Sequence, residues 1–92
     1  MYINNYSELI DFDLHGINGL WEGIATYDAL KGLNMNLPFI LSRSKIFGSG
    51  SYVSTWSGDN YAVYEFLKYS ISGIFASNLF GIPFHGADIC GH

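Results

Sequence analysis

Pro38-Phe-Ile-Leu-Ser-Arg43-Ser44, then Trp56-Ser-Gly-Asp59-Asn60, then Gly86-Ala-Asp88-Ile-Cys-Gly91 decide how this chain is read. Pro38 to Ser42 is a short, continuously apolar run of the kind that forms a strand buried on both faces. Asp59 or Asn60 can cap a helix from Tyr61 or Ala62 to about Ser77, with Glu65 in its early turns. Val63, Phe66, Leu67, Ser70, Ile71 and Ile74 would share one face of that helix, and Gly73 could pinch it. Phe80 or Ile82 to Ala87 reads as a second strand, with Pro83 tolerated near its start. Strand, helix and strand in this order make a right-handed crossover with parallel strands. Arg43, Asp59 and Asp88 then stand at or near the ends of apolar runs, in a chain with only four basic and eight acidic residues. Scarce charges at strand ends are the pattern of an α/β protein that builds a site on the carboxyl ends of parallel strands.

Upstream, the apolar residues Ile17, Leu20, Trp21, Ile24, Ala25, Tyr27 and Leu30 follow helical spacing, which predicts a helix over Ile17 to Lys31. Gly32 is a plausible stop, and Lys31 suits the negative end of the helix dipole. Gly19 and Gly23 lower helix propensity but let a neighbour approach closely. Residues 1–12 are polar and aromatic without a clear period, and read as a leader or loop. Arg43 to Ser57, rich in Gly and Ser, reads as a long loop. The expected order is therefore helix, strand, long loop, helix, strand. No internal repeat or low-complexity segment is visible.

Composition narrows the possibilities. The 92 residues are 49% hydrophobic and 13% charged, which excludes a disordered, solvating chain. A domain of this length buries roughly 60–65% of the surface of its unfolded chain. Seven Tyr, seven Phe and two Trp exceed what so short a chain easily hides, so much of this surface is expected to pack against further chain. A net charge of −4 with scattered Lys31, Arg43, Lys45 and Lys68 argues against a nucleic-acid partner. The single Cys90 forms no internal disulfide. No basic segment followed by an apolar core marks a signal peptide in Met1 to Ile10, and no apolar run is long enough to span a membrane. Asn5-Tyr6-Ser7 fits a glycosylation sequon, a triplet that arises often by chance.

Each candidate residue has a chemical use and a plainer one. Asp59, beside the Trp56 indole on a Gly-flexed loop, suits general acid/base work or a helix N-cap. The fork of Arg43 suits a carboxylate or several sugar hydroxyls, or a surface ion pair. The small-small-acid ending Gly86-Ala87-Asp88 leaves room for a ligand, or for a buried Asp accepting bonds from loop amides. Trp56 could floor a sugar site or simply be core. Gly48-Ser-Gly50 near Lys45 hints weakly at a phosphate cradle but lacks the Gly-Lys-Ser/Thr ending of a P-loop. His85, Asp88, Cys90 and His92 could be drawn as a metal cluster, but their spacing matches no standard zinc site. His85 and Asp88 would also point to opposite faces of a strand.

Leu41-Ser-Arg43-Ser44, Trp56-Ser-Gly-Asp59-Asn60, Asn78-Leu-Phe-Gly-Ile-Pro83 and Gly86-Ala-Asp88-Ile-Cys-Gly91 together resemble glycoside hydrolase family 31, the α-glucosidase family. The helix Gly19 to Leu30 matches a helix before the same strand. The resemblance runs from about Asp13 to Gly91 without an obvious gap. It implies an α/β fold: a partial (β/α)8 TIM barrel of about two βα units over residues 13–92, not a complete barrel, which needs about 250 residues. It also implies retaining hydrolysis of α-glucosides, no cofactor and no metal. By motif, Asp59 matches the general acid/base, Arg43 an Arg contacting sugar hydroxyls, Trp56 an aromatic lining the −1 subsite, and Asp88 an acidic residue at its base. The implied partners are an α-glucoside oligosaccharide and the remainder of the barrel.

The departures are specific. The family nucleophile, an Asp in Trp-x-Asp-Met-Asn-Glu, does not occur in these residues, nor does a sugar-binding His further downstream. Thr55 stands where a His often precedes the Trp, and His92 where an aromatic is usual. Lys45 replaces a small or polar residue, so substrate preference is expected to differ. The expectation is a piece of an α-glucosidase that holds the acid/base but is inactive alone. The alternative is a non-catalytic carbohydrate-binding or interaction module built from the same barrel segment.

Overall fold

The computed structural model describes residues 11–92, so most of the expected leader, and the sequon at Asn5, lie outside the described residues. A short helix α1 (Asp11–Leu14) and a 3-10 turn (His15–Ile17) lead into α2 (Asn18–Gly32). Then come β1 (Leu41–Ser42), a second 3-10 turn (Ser49–Ser51), β2 (Ser54–Trp56), α3 (Tyr64–Leu79) and β3 (His85–Gly86). The three strands form one parallel sheet in the order β1-β2-β3. Leu41 pairs with Ser54 and Ser42 with Thr55, while Thr55 pairs with His85 and Trp56 with Gly86. Backbone bonds from Ser54 N to Ile40 O (2.7 Å), Thr55 N to Phe84 O (2.9 Å) and Ser57 N to Gly86 O (3.0 Å) complete and extend the ladder.

The central strand β2 corrects the expected long loop. Ser54 and Thr55 are polar, so no apolar run announces a strand there, yet both are buried. Their backbone groups are satisfied by neighbours on either side, which makes a polar strand tolerable in the middle of a sheet. β1 and β2 are joined without an α-helix. The short turn around buried Ser49, whose hydroxyl accepts the Ile46 N–H at 2.9 Å, takes the place of one.

Two helix ends also differ from expectation. α3 starts after Val63, an extended residue with no side-chain cap, so neither Asp59 nor Asn60 caps it. At the end of α2 the left-handed residue is Asn34 (φ 62°) rather than Gly32, which stays helical. Asn is among the few non-glycine residues that visit this region readily.

Strand side chains alternate between faces. One face is covered by helices. On it Val53 is 5% and Thr55 2% exposed, and Ile40 and Ser42 are half-buried. α2 docks here through its glycines: a Cβ on Gly23 would stand 2.9 Å from Val53 Cγ1, and one on Gly19 would overlap the Ser44 side chain. α3 turns Phe66, Ser70, Gly73, Ala76 and Ser77 inward, all half-buried or buried. Of the residues expected to share one face with Phe66 and Ser70, Val63, Leu67, Ile71 and Ile74 are exposed. The opposite sheet face is open, with Phe39 74%, Leu41 55% and Phe84 71% exposed. Of the expected burial on both faces, this chain supplies one.

Val53 and Ile82 are the buried hydrophobics among the described residues, against twenty large hydrophobics that are exposed. That ratio identifies the fold as a sector of something larger, since a free-standing domain hides most of its apolar residues. No described helix is long and apolar enough to cross a membrane.

Candidate active site

Parallel pairing puts all three carboxyl ends on one side of the sheet, and each delivers one charged residue. Arg43 follows β1 directly, Asp59 stands three residues beyond the end of β2, and Asp88 two beyond β3. Because β2 is central, Asp59 rises between the other two.

The structure brings Arg43 and Asp59 together. Arg43 Nη1 lies 3.9 Å from Asp59 Oδ1, with the two side chains 65% and 60% exposed. An open pair of this kind contributes only about 0–1 kcal/mol, so it orients the groups without anchoring them. Gly58 makes the approach possible. It has φ 81°, and a Cβ there would come within 3.0 Å of Arg43 Nη2 and 3.3 Å of Cζ and Nε. The guanidinium thus lies along the bare Gly58 backbone, in a conformation that L side chains rarely adopt.

Trp56 ends β2 half-buried. Its register partner on β3 is Gly86, where an added Cβ would meet nothing within 4 Å. Alternation places Trp56 on the open sheet face, opposite Thr55. Asp88 is half-buried, and its Oδ2 is a buried atom with no hydrogen-bond partner among the described residues. It lines a cavity of about 610 Å³ between the start of α3 and the loop after β3, with Tyr61, Phe66 and Leu67. Asp59 lines a neighbouring cavity of about 210 Å³ with Ser57, Tyr69 and His85. No ion pair joins Asp88 to Arg43 among the described residues, so the structure unites two of the charged candidates and sets the third beside them.

Several supporting residues carried no signal as such. Lys45 Nζ donates to the Trp56 carbonyl at 3.2 Å, tying the loop after β1 to the end of β2. With Ser49 buried in its own turn, this leaves the Gly48-Ser-Gly50 stretch no phosphate-cradling lysine. Thr55 Oγ1 and His85 Nδ1 share a hydrogen bond at 2.9 Å across their register pair. Burial, and secondarily the Lys45 charge, hold the His85 imidazole below its ordinary value of 6.5. This contact could not be foreseen without knowing that β2 exists. Cys90 is exposed, and no group of three His, Cys, Asp or Glu side chains able to hold a metal occurs among the described residues.

The chain is similar to known proteins. The family model of the glycosyl hydrolases family 31 TIM-barrel domain matches residues 2–92. Lysosomal acid alpha-glucosidase of Tetrahymena pyriformis is 56% identical over 91 residues, covering 99% of this chain and 10% of that protein. Alpha-xylosidase 1 of Arabidopsis thaliana is 42% identical over 87 residues, covering 95% of this chain and 10% of that protein. A crystal structure of the glucosidase II alpha subunit superposes with a TM-score of 0.81 at 37% identity, covering 88% of this chain and 9% of that one. The chain spans about a tenth of the length of the relatives it matches.

Proposed function

The chain belongs to glycosyl hydrolase family 31, as part of its TIM-barrel domain, and from that premise we propose that it supplies the acid/base half of a site that hydrolyses α-linked glucosides with retention. The observation that carries this reading is the meeting of Arg43 and Asp59, 3.9 Å apart at the carboxyl ends of parallel strands. A (β/α)8 barrel does its chemistry at this end.

In this proposal Asp59 protonates the leaving oxygen as the glycosidic bond breaks, then takes a proton from the water that releases the sugar. Its 60% exposure leaves the carboxyl reachable by substrate and water. Arg43, held along Gly58, donates to sugar hydroxyls with the face of its fork that Asp59 does not occupy. Trp56 presents its ring to the sugar from the open sheet face, and Asp88 offers its unpartnered Oδ2 at the base of the subsite. The nucleophile comes from another part of the barrel, with its carboxyl about 5–5.5 Å from that of Asp59, as retention demands. This chain alone therefore forms no covalent glycosyl-enzyme and turns nothing over. The substrate class extends from α-glucosides toward α-xylosides, in keeping with the names of its relatives.

The test is a chimera in which residues 2–92 replace the matching stretch of the Tetrahymena pyriformis enzyme. It should hydrolyse maltose with retention of configuration, and Asp59→Asn should lower kcat/KM on maltose by about 10²–10⁴-fold, the usual worth of general acid/base catalysis. A folded chimera whose turnover ignores Asp59→Asn sinks the assignment. Sugar binding without turnover favours the carbohydrate-binding alternative.

A further inference from the structure

We propose that Asn60 is the positioning residue for Asp59, holding the acid/base loop to the loop that bears Asp88; this rests on the acid/base reading of Asp59. Asn60 Oδ1 accepts the backbone N–H of Asp88 at 3.1 Å and faces the Ser57 hydroxyl at 3.3 Å. Its own carbonyl accepts the His92 N–H at 2.7 Å. One half-buried residue, adjacent in sequence to Asp59, is thus bonded on both sides to a segment 28 or more residues away.

The plainer roles of an asparagine here do not account for these bonds. Asn60 does not cap α3, which starts after Val63. Asparagine side chains in turns usually bond the backbone two or three residues on, whereas this partner is on another strand's loop. Nor, among the described residues, is Asp59 held by anything else of comparable strength. Gly58 precedes it at φ 81°, and the Arg43 pair is solvent-exposed on both sides. What fixes the height of the Asp59 carboxyl above the sheet is the bracket one residue later. Both donors to Oδ1 need only an acceptor oxygen, so an isosteric carboxylate at position 60 preserves the bracket.

A misplaced acid has a signature that general damage lacks. Protonation of the leaving oxygen matters most when the departing group is a poor one, such as the glucose leaving from maltose. It matters least for an acidic phenol such as 4-nitrophenol. In the full-length chimera, Asn60→Ala should lower kcat/KM on maltose, which reports the bond-breaking step, about tenfold or more, within the 10²–10⁴-fold worth of the acid. On 4-nitrophenyl α-glucoside it should lower kcat/KM by less than about threefold by the same argument. The ratio of the two rates, read on one preparation, is independent of how much protein is folded. Asn60→Asp should return that ratio to the parent value.

An unchanged ratio in Asn60→Ala, or a ratio in Asn60→Asp as disturbed as in Asn60→Ala, overturns the inference. Indifference of the chimera to Asp59→Asn would instead overturn the acid/base assignment beneath it, so the two failures are told apart.

Discussion

The two faces of the sheet are made of similar residues and have opposite fates. On the helix-covered face Val53 and Thr55 are sealed beneath α2 and α3, and glycines bring α2 to within van der Waals contact. On the open face Phe39, Leu41 and Phe84 stand in solvent beside Trp56. Both faces carry apolar side chains, Ile40 and Val53 on one and Phe39, Leu41 and Phe84 on the other, so both are built to be covered. The helix face is completed by this chain, and the face that carries the sugar-stacking candidate waits for strands supplied from elsewhere. In a barrel the open face is the lumen, packed by layers of side chains from alternate strands.

This contrast can be broken or sharpened by experiment. The largest effect concerns the 92-residue chain alone. With two buried hydrophobics against twenty large ones exposed among the described residues, it lacks the core that offsets the entropy of ordering a chain. Size-exclusion chromatography should find it associated, and circular dichroism should find no cooperative melt. A monodisperse monomer with a sharp transition refutes the sector view.

Next, in the full-length chimera, Phe84→Ala should cost about 3–5 kcal/mol if the open face is packed as a barrel core. A change below about 0.5 kcal/mol, typical of exposed positions, would mean that the face stays bare. Gly19→Val probes the covered face. Its methyls collide with Ser44, and overpacking of this kind costs about 1–3 kcal/mol, which a denaturant titration resolves.

The smallest effect is on pH dependence. Since burial and Lys45 lower the His85 pKa in the folded protein, the unfolded chain takes up the proton first as pH falls. The contribution is therefore whole above about 6.5 and is lost as pH drops from there through the lowered value. His85→Gln should remove a modest share of the destabilisation seen between pH 7.5 and 5.5, and an identical pH profile in the variant would dismiss it.

What the sequence disclosed and what it hid follow from these faces. The runs at Pro38–Ser42 and Ile82–Ala87, and the helical spacing after Ile17 and Tyr61, were legible because apolar periodicity survives whether or not a neighbour is present. β2 was not, because Ser54 and Thr55 are buried by strands on both sides rather than by their own hydrophobicity. The helix faces are legible in part, since Gly19 and Gly23 announce the close approach they make and Phe66 and Ser70 fall on the docked side of α3. The large apolar residues counted on the same face of α3, Leu67 and Ile71, point outward, because the sides that dock within this chain are lined by small residues such as Gly19, Gly23, Ser70 and Gly73. In the candidate site, Arg43, Asp59, Trp56 and Asp88 could be singled out from their motifs. The supporting roles of Gly58, Lys45 and Asn60 needed three dimensions, since each acts on a residue presented by a different loop or a different part of its own.

The sheet is ordered β1-β2-β3, so among the described residues its two outer strands each keep one row of amides and carbonyls unlaced. Evolution or an engineer moving this piece between hosts inherits two seams, not one. A donor can exchange it only with a host whose flanking strands run the same way and offer matching registers. Recombination among relatives should therefore reject any exchange that leaves either outer strand unstitched.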